Sequence, residues 1–415
     1  MMSHREFAAA VKARKDPSTG VFAKIGMAVL LVSYGINAMD RALFPMMLTD
    51  VRREYAFTLP EAGLMSTVFT IGMALAGVLT GYLMSRYSRK AVVQTGIFIF
   101  SAATIVTVVA AGFVDMLFYR AVTGIGEAMQ LTALLAVVSS YLTGHRGTGI
   151  GAVNFMYGFG AIVGPALGAS LLVKYGSWRA PMIAFGLIGF ILMVLIAAFV
   201  RPWLSEVNRT GANVEVAFTG GAGTLRNRNT AVLVFLSMIT GLSMYGFLGM
   251  YPTFLREYHH YSPADAGKIM SLYGLGALAS IAGGWVGDRL PPRLVLGFSW
   301  PAGAIIGYLL FNGPGDFLFQ AALSFAFGIV FSGTIYVNVA AYHVRSVSGA
   351  LSGRAAGIFV SSYYTAASIA GYTIGWLANS WGWQTAGDVQ LALLCLIGAA
   401  ATFLLRPERM AERRA

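Results

Sequence analysis

The chain is a succession of apolar runs, each long enough to cross a bilayer as a helix, and this feature limits what it can fold into more than any other. A helix needs roughly 20 apolar residues to span the hydrocarbon core. Such runs fall at about 25–48, 60–84, 90–110, 115–141, 147–173, 179–200, 229–254, 264–287, 293–311, 316–341, 353–378 and 386–405. Only 11% of the 415 residues are charged and mean hydropathy is +0.69, whereas a soluble domain carries about 25% charged residues. A soluble fold is therefore excluded. The expectation is an all-α integral membrane protein of twelve transmembrane helices. Between the sixth and seventh runs lies the one long polar stretch, so the chain divides into an N-terminal tail (1–24), a six-helix bundle (25–200), a linker (201–228), a second six-helix bundle (229–405) and a short tail (406–415).

The net charge of +12 does not mark a nucleic-acid surface, because the basic residues punctuate the apolar runs instead of clustering. With the N-terminus inside, 21 of the 29 Lys and Arg fall in the tails and inner loops and six in the outer loops; Arg41 and Arg120 lie within spans. Positive charge marks the cytoplasmic side of membrane proteins. Both termini are expected in the cytoplasm, with the protein in a cell membrane, a bacterial inner membrane by expectation. A single cysteine, Cys395, excludes a disulfide framework and a cysteine zinc site. His259 and His260 fall in an outer loop and His145 and His343 in inner loops, and all four are read as solvated. No G-x-S-x-G, H-E-x-x-H or Walker loop occurs, so no enzyme is expected. No cofactor is expected either, and the energy source would be an ion gradient.

The two halves repeat one another. Arg53-Glu54-Tyr55 with Pro60-Glu61-Ala62-Gly63 recurs as Arg256-Glu257-Tyr258 with Pro263-Ala264-Asp265-Ala266-Gly267. Gly81-x-x-x-Ser85-Arg86 recurs as Gly284-x-x-x-Asp288-Arg289, and Gly112 to Asp115 recurs as Gly313 to Asp316. The offset stays between 201 and 204 residues. Duplicated halves with a cavity between them are common among secondary transporters.

These motifs carry a family resemblance. The loop pattern around Arg86, Asp288 and Arg289, Arg120-x-x-x-Gly124-x-Gly126, and Gly160-x-x-x-Gly164-Pro165-x-x-Gly168 together resemble the major facilitator superfamily over essentially the whole chain. The resemblance implies a major facilitator fold and a loop ion pair that acts as a gate. Ser85 stands where the family usually has Asp, which leaves Asp288 with Arg289 as the intact copy and Arg86 as the remnant.

Asp40 and Glu127 are the only carboxylates well inside spans. Together with Arg41 and Arg120 they would cost on the order of 10 kcal/mol in the membrane unless paired or hydrated. In the first span Tyr34, Asn37 and Arg41 share a helical face. Asp40 sits ~100° from Arg41, so the two adjacent charges need separate partners. Arg120 and Glu127 lie two turns apart on one stripe of the fourth span, across from the first. None of the four charges recurs in the second half, which favours a one-sided site. Pinning of helices by buried ion pairs is the competing reading.

Asn37-x-x-Asp40-Arg41 with Arg120-x-x-x-Gly-Ile-Gly-Glu127-Ala128 resembles the anion:cation symporter family, and spinster-type lipid transporters resemble the same pattern. The first resemblance implies protonation at Asp40 and Glu127, substrate carboxylate on Arg41, and coupling through Arg120. Mid-span polar residues that would complete a substrate site are Asn154, Tyr157, Tyr245, Tyr336, Asn338, Ser361, Ser362 and Tyr364, of which Asn154 with Tyr157 is preferred, being i and i+3 on one face. The expected activity is proton-coupled symport of a small organic anion, a sugar acid or carboxylate, by alternating access. The alternative is proton-coupled export of an amphiphile or lysolipid, and a non-transporting membrane sensor is disfavoured by the short tail. Protons, the anion and the bilayer are the expected partners, nucleic acid is not, and nothing requires a second copy, so a monomer is expected.

Overall fold

A computed structural model describes residues 21–141, 146–206 and 218–413. The first span is one helix, Val21–Tyr55, with Pro45 inside it. The second runs through Leu59–Thr67 and Phe69–Arg86, followed by Arg89–Val106, Phe113–Tyr141, Arg146–Tyr175 and Arg179–Phe199. The second half follows the same order: Arg228–Glu257, Pro263–Ala277 with Ser280–Arg289, Pro292–Asn312, and a tenth span built from Phe317–Phe327, the π-helical Gly328–Tyr336 and Val337–Arg345. The last helical stretch, Gly349–Thr402, turns back at Gly382, whose φ of 87° suits glycine, and so supplies the eleventh and twelfth crossings. Among the described residues twelve crossings agree with the sequence, and most boundaries lie within a few residues of those expected, the first helix running on to Tyr55 beyond the expected 48.

Local chemistry starts these helices in repeat-related ways. Thr58 and Glu61 cap each other before the second span, with Pro60 in the first turn. Ser262 accepts from the Asp265 amide (3.1 Å) before the eighth, with Pro263 in the first turn. Asp115 accepts from the Gly112 amide, and Asp316 from that of Phe319, at the fourth and tenth. Each satisfies amides that a helix start leaves unpaired. Large apolar side chains such as Val114, Ile281, Phe298 and Leu318 stay exposed, as on a surface solvated by lipid.

The linker splits between the halves: Glu206 at the end of residues 201–206 accepts from the Arg89 and Lys90 amides of the first half, while the described residues from 218 onward and the tail lie against the second. Phe218–Thr219 pairs antiparallel with Glu412–Arg413, and the Ala411 amide donates to the Arg345 carbonyl.

The halves meet closely toward the face away from Val21, here the far face. A Cβ on Gly63 of the second span would lie 1.9 Å from the Gly371 carbonyl oxygen of the eleventh, and one on Gly267 of the eighth 2.9 Å from the Pro165 carbonyl of the fifth. Small residues permit such helix contacts in membranes. Toward the other face a Cβ on Gly77, Gly81, Gly353 or Gly357 would meet nothing within 4 Å. Two ion pairs also cross between the halves at the far face. Asp50 receives Arg256 through two bonds of 2.6 and 3.2 Å, and Glu257 receives Arg52 through two of 3.0 and 2.7 Å.

This closure yields an expected result. Gly63→Leu, or Asp50→Ala combined with Glu257→Ala, opens the far face. Maleimide labelling of Ala42→Cys, which lines a small void beside Arg41, should then rise about tenfold, as expected when charge-assisted contacts of 1–2 kcal/mol are lost. Unchanged labelling in both variants would mean that these contacts do not hold the far face shut.

Candidate functional site

Between the halves lies a cavity of about 250 Å³, lined from the first half by Tyr34, Arg41, Asn154 and Tyr157 and from the second by Tyr245, Ser280, Ser332, Tyr336, Tyr363 and Tyr364 among others. Most of the lining comes from the half of its span nearer the Val21 face, with Arg41, Met244 and Tyr245 just past mid-span, so the cavity runs from the centre toward the side where the halves part. Ser332 and Tyr336 belong to the π-helical stretch of the tenth span; such irregular turns often re-aim side chains at functional sites. Among the described residues Arg41 is the one charged residue in the lining.

Behind Arg41 the other three charges are buried, with relative exposures of 1% for Asp40 and 0% for both Glu127 and Arg120, against 9% for Arg41 itself. Arg41 Nε lies 3.1 Å from Glu127 Oε2. The pair is close but misaligned: Arg41 Nε and Nη2 and both Glu127 oxygens make no hydrogen bond. Asp40 instead accepts from Thr104 Oγ1 (3.0 and 3.2 Å), and Asp40 and Arg120 are each other's dominant charged neighbours. The guanidinium of Arg120 rests over the rings of Phe44 (4.5 Å) and Phe69 (5.6 Å), with none of its nitrogens hydrogen-bonded. Cation–π contact offsets part of its desolvation. The Asp40 and Glu127 carboxyls are close enough for each to feel the other's charge.

Of the residues singled out from sequence for the substrate, Tyr34, Arg41, Asn154, Tyr157, Tyr245, Tyr336 and Tyr364 converge on this cavity. Five do not. Asn37 is fully buried, donating to Gln130 Oε1 (2.8 Å) and to the Glu127 carbonyl (3.3 Å), so it ties the first span to the fourth. Arg120 lies behind the wall on its phenylalanines, out of contact with the cavity. Asn338 donates to the Gly283 carbonyl (3.0 Å) and braces the tenth span on the eighth. Ser361 is exposed and absent from the lining, and Ser362 donates to the Ile358 carbonyl (2.8 Å) of its own helix.

Arg86 and Arg289 stack on Tyr82 and Trp285 one turn earlier, at 4.7 and 4.0 Å, and Asp288, which precedes Arg289 in the chain, is exposed. His343 corrects the solvated reading: it is buried, with Nε2 2.9 Å from Ser237 Oγ, because the tenth span continues to Arg345. His145 lies outside the described residues. Sequence reasoning missed Gln130, whose amide also donates to Ser33 Oγ (2.9 Å), and Thr104. Gln130 had a signal, being three residues after Glu127 on the same stripe. Thr104 had none.

Two six-helix halves around a central cavity, with one cation on its wall and three charges sealed behind it, define a multi-pass membrane transporter. The Major Facilitator Superfamily profile matches residues 30–371 and 233–415, and the chain belongs to that superfamily. It is 25% identical over 371 residues to the cis,cis-muconate transport protein of Acinetobacter baylyi, covering 86% of this chain and 88% of that one. It is 24% identical over 261 residues, 61% of each chain, to the hexuronate transporter of Bacillus subtilis. Among solved structures, a bacterial homolog of the human lysosomal transporter spinster, in an inward-facing and occupied conformation, superposes with TM-score 0.77 at 15% identity over 93% of this chain and 97% of that one; it shares the fold.

Proposed function

We propose that the protein carries a small organic anion into the cell together with protons, by alternating access, across a bacterial inner membrane with both termini in the cytoplasm. The observation that carries this reading is that Arg41 belongs to both environments: it lines the cavity and it pairs with Glu127, a carboxylate sealed from the cavity. While Glu127 is ionised, it holds the guanidinium that an anion needs. A proton on Glu127 removes that competition and leaves Arg41 to the substrate carboxylate. Asp40, close to Glu127 and matched to Arg120, is the second proton carrier, and Arg120 links the two by attracting whichever carboxylate stays ionised.

Charge balance supports the scheme. The four groups sum to zero when both carboxylates are ionised; an anion bound with one proton, on Glu127, keeps the sum at zero, and a second proton on Asp40 raises it to +1, so the anion never crosses low dielectric as an uncompensated charge. The substrates named for the two relatives, muconate and hexuronate, are organic anions, which supports the class. The exporter alternative draws on the aromatic lining but gives Arg41 no task for an apolar tail.

In proteoliposomes with an inward proton gradient, a carboxylate should accumulate above its equilibrium level and leave again when a protonophore is added. Uptake that ignores the gradient, or a response to lysolipids alone, would overturn the reading.

A further inference from the structure

The walls of the cavity differ. The first half brings the charge, Arg41, and the one side-chain amide, Asn154. The second half brings four tyrosines, 245, 336, 363 and 364, and no charge. Their rings pack on each other, with centroids 5.0 Å apart for Tyr363–Tyr364 and Tyr336–Tyr363 and 5.8 Å for Tyr245–Tyr363, mostly edge to face. Such mutual packing fixes a slot of ring faces and edges. Tyr34 and Tyr157 extend the aromatic surface onto the first half.

On this wall Ser332 is engaged by the Tyr273 hydroxyl (2.5 Å) and the Tyr363 hydroxyl donates to Met244 Sδ (3.0 Å), which leaves Ser280 and the phenol hydroxyls of Tyr245, Tyr336 and Tyr364 as its polar groups. Among the described residues no carboxylate lines the cavity. A polyhydroxylated acid would find single hydroxyls and no carboxylate to accept from several of its own, and unpaired buried polar groups are penalised. A second anionic group would find no second cation. A long acyl chain would meet an arginine and tyrosine edges in a space of about 250 Å³.

We propose that the anion carried is a planar, single-ring aromatic monocarboxylate, held with its carboxylate on Arg41 and its ring against the tyrosines of the second half. This rests on the symport reading above and narrows it. A substrate held by charge on one half and by stacking on the other joins the two halves, as a carrier needs if closure is to depend on the load. Offset and edge-to-face ring pairs give an aromatic guest an advantage that a saturated ring of equal size lacks.

The test is gradient-driven uptake into proteoliposomes of four labelled acids: benzoate, cyclohexanecarboxylate, terephthalate and glucuronate. Benzoate should be taken up at the lowest concentration. Cyclohexanecarboxylate should need about tenfold more, and terephthalate and glucuronate about a hundredfold more. Tyr245→Leu should erase the preference for benzoate over cyclohexanecarboxylate, while Tyr245→Phe, which keeps the ring, should retain it. If glucuronate or terephthalate is accumulated in preference to benzoate, or cyclohexanecarboxylate equals it, the aromatic assignment fails and symport stands. If no carboxylate responds to the gradient, both fail.

Discussion

Arg41→Ala should lower the affinity for the carried anion by two orders of magnitude or more, the largest effect expected of any single substitution. Removing one member of a buried charge pair costs about 2–5 kcal/mol, and each 1.4 kcal/mol is about a factor of ten. Among the described residues Arg41 is the one cation on the cavity wall, and none there replaces it. Arg41→Lys keeps the charge and loses the planar fork, and a drop of about tenfold is expected. Folding must be separated from binding, because Arg41→Ala also strands Glu127 without its partner at 3.1 Å, a loss worth about 3–5 kcal/mol in a buried pair. The double variant Arg41→Met with Glu127→Gln removes both charges and should fold as well as the wild type while still failing to bind. Isothermal titration of each variant, with size-exclusion profiles alongside, separates the two effects. Full affinity in the double variant would show that Arg41 is only a pin between helices.

The second large effect concerns coupling. Glu127→Gln should abolish uphill accumulation while leaving exchange of labelled for unlabelled anion within about threefold of wild type. The sign of the pH dependence follows from competition. In the wild type the anion and the ionised Glu127 contend for Arg41, so affinity should fall as pH rises and Glu127 loses its proton. Glutamine cannot contend, so the variant should bind tightly and with a flat pH profile. Asp40→Asn should also lose accumulation, with lower stability, because asparagine still meets Thr104 but leaves Arg120 without its dominant charged neighbour. Counterflow and gradient-driven uptake, measured on the same vesicles, distinguish loss of coupling from loss of transport. A variant that accumulates substrate as the wild type does would make its carboxylate a brace.

The spans were legible because a bilayer imposes a length on any apolar run, and the repeat was legible because both copies keep the same caps, Thr58 with Glu61 and Ser262 with Asp265. The four charges stood out through their cost in hydrocarbon. Their pairing did not: helical angles separate Asp40 from Arg41, yet only the packing of the first, third and fourth spans sends Arg41 to Glu127 and Asp40 to Thr104. Mid-span polar residues look alike in sequence, and tertiary rotation alone decides that Asn154 lines the cavity while Asn338 braces a helix. His343 was misjudged because the apolar run ends before the helix does. The ring-to-ring packing of Tyr245, Tyr336, Tyr363 and Tyr364 joins three different spans, and no local pattern announces it.

The coupling of Glu127 to the anion is tested most directly by counting protons on binding. Purified protein in a weakly buffered solution with a pH-sensitive dye is titrated with benzoate near neutral pH, and proton uptake is compared with the amount bound. Wild type should take up about one proton per anion, and Glu127→Gln none, since binding linked to protonation must move protons. Anion binding with no proton uptake by the wild type would contradict the coupling of Arg41 to Glu127 outright.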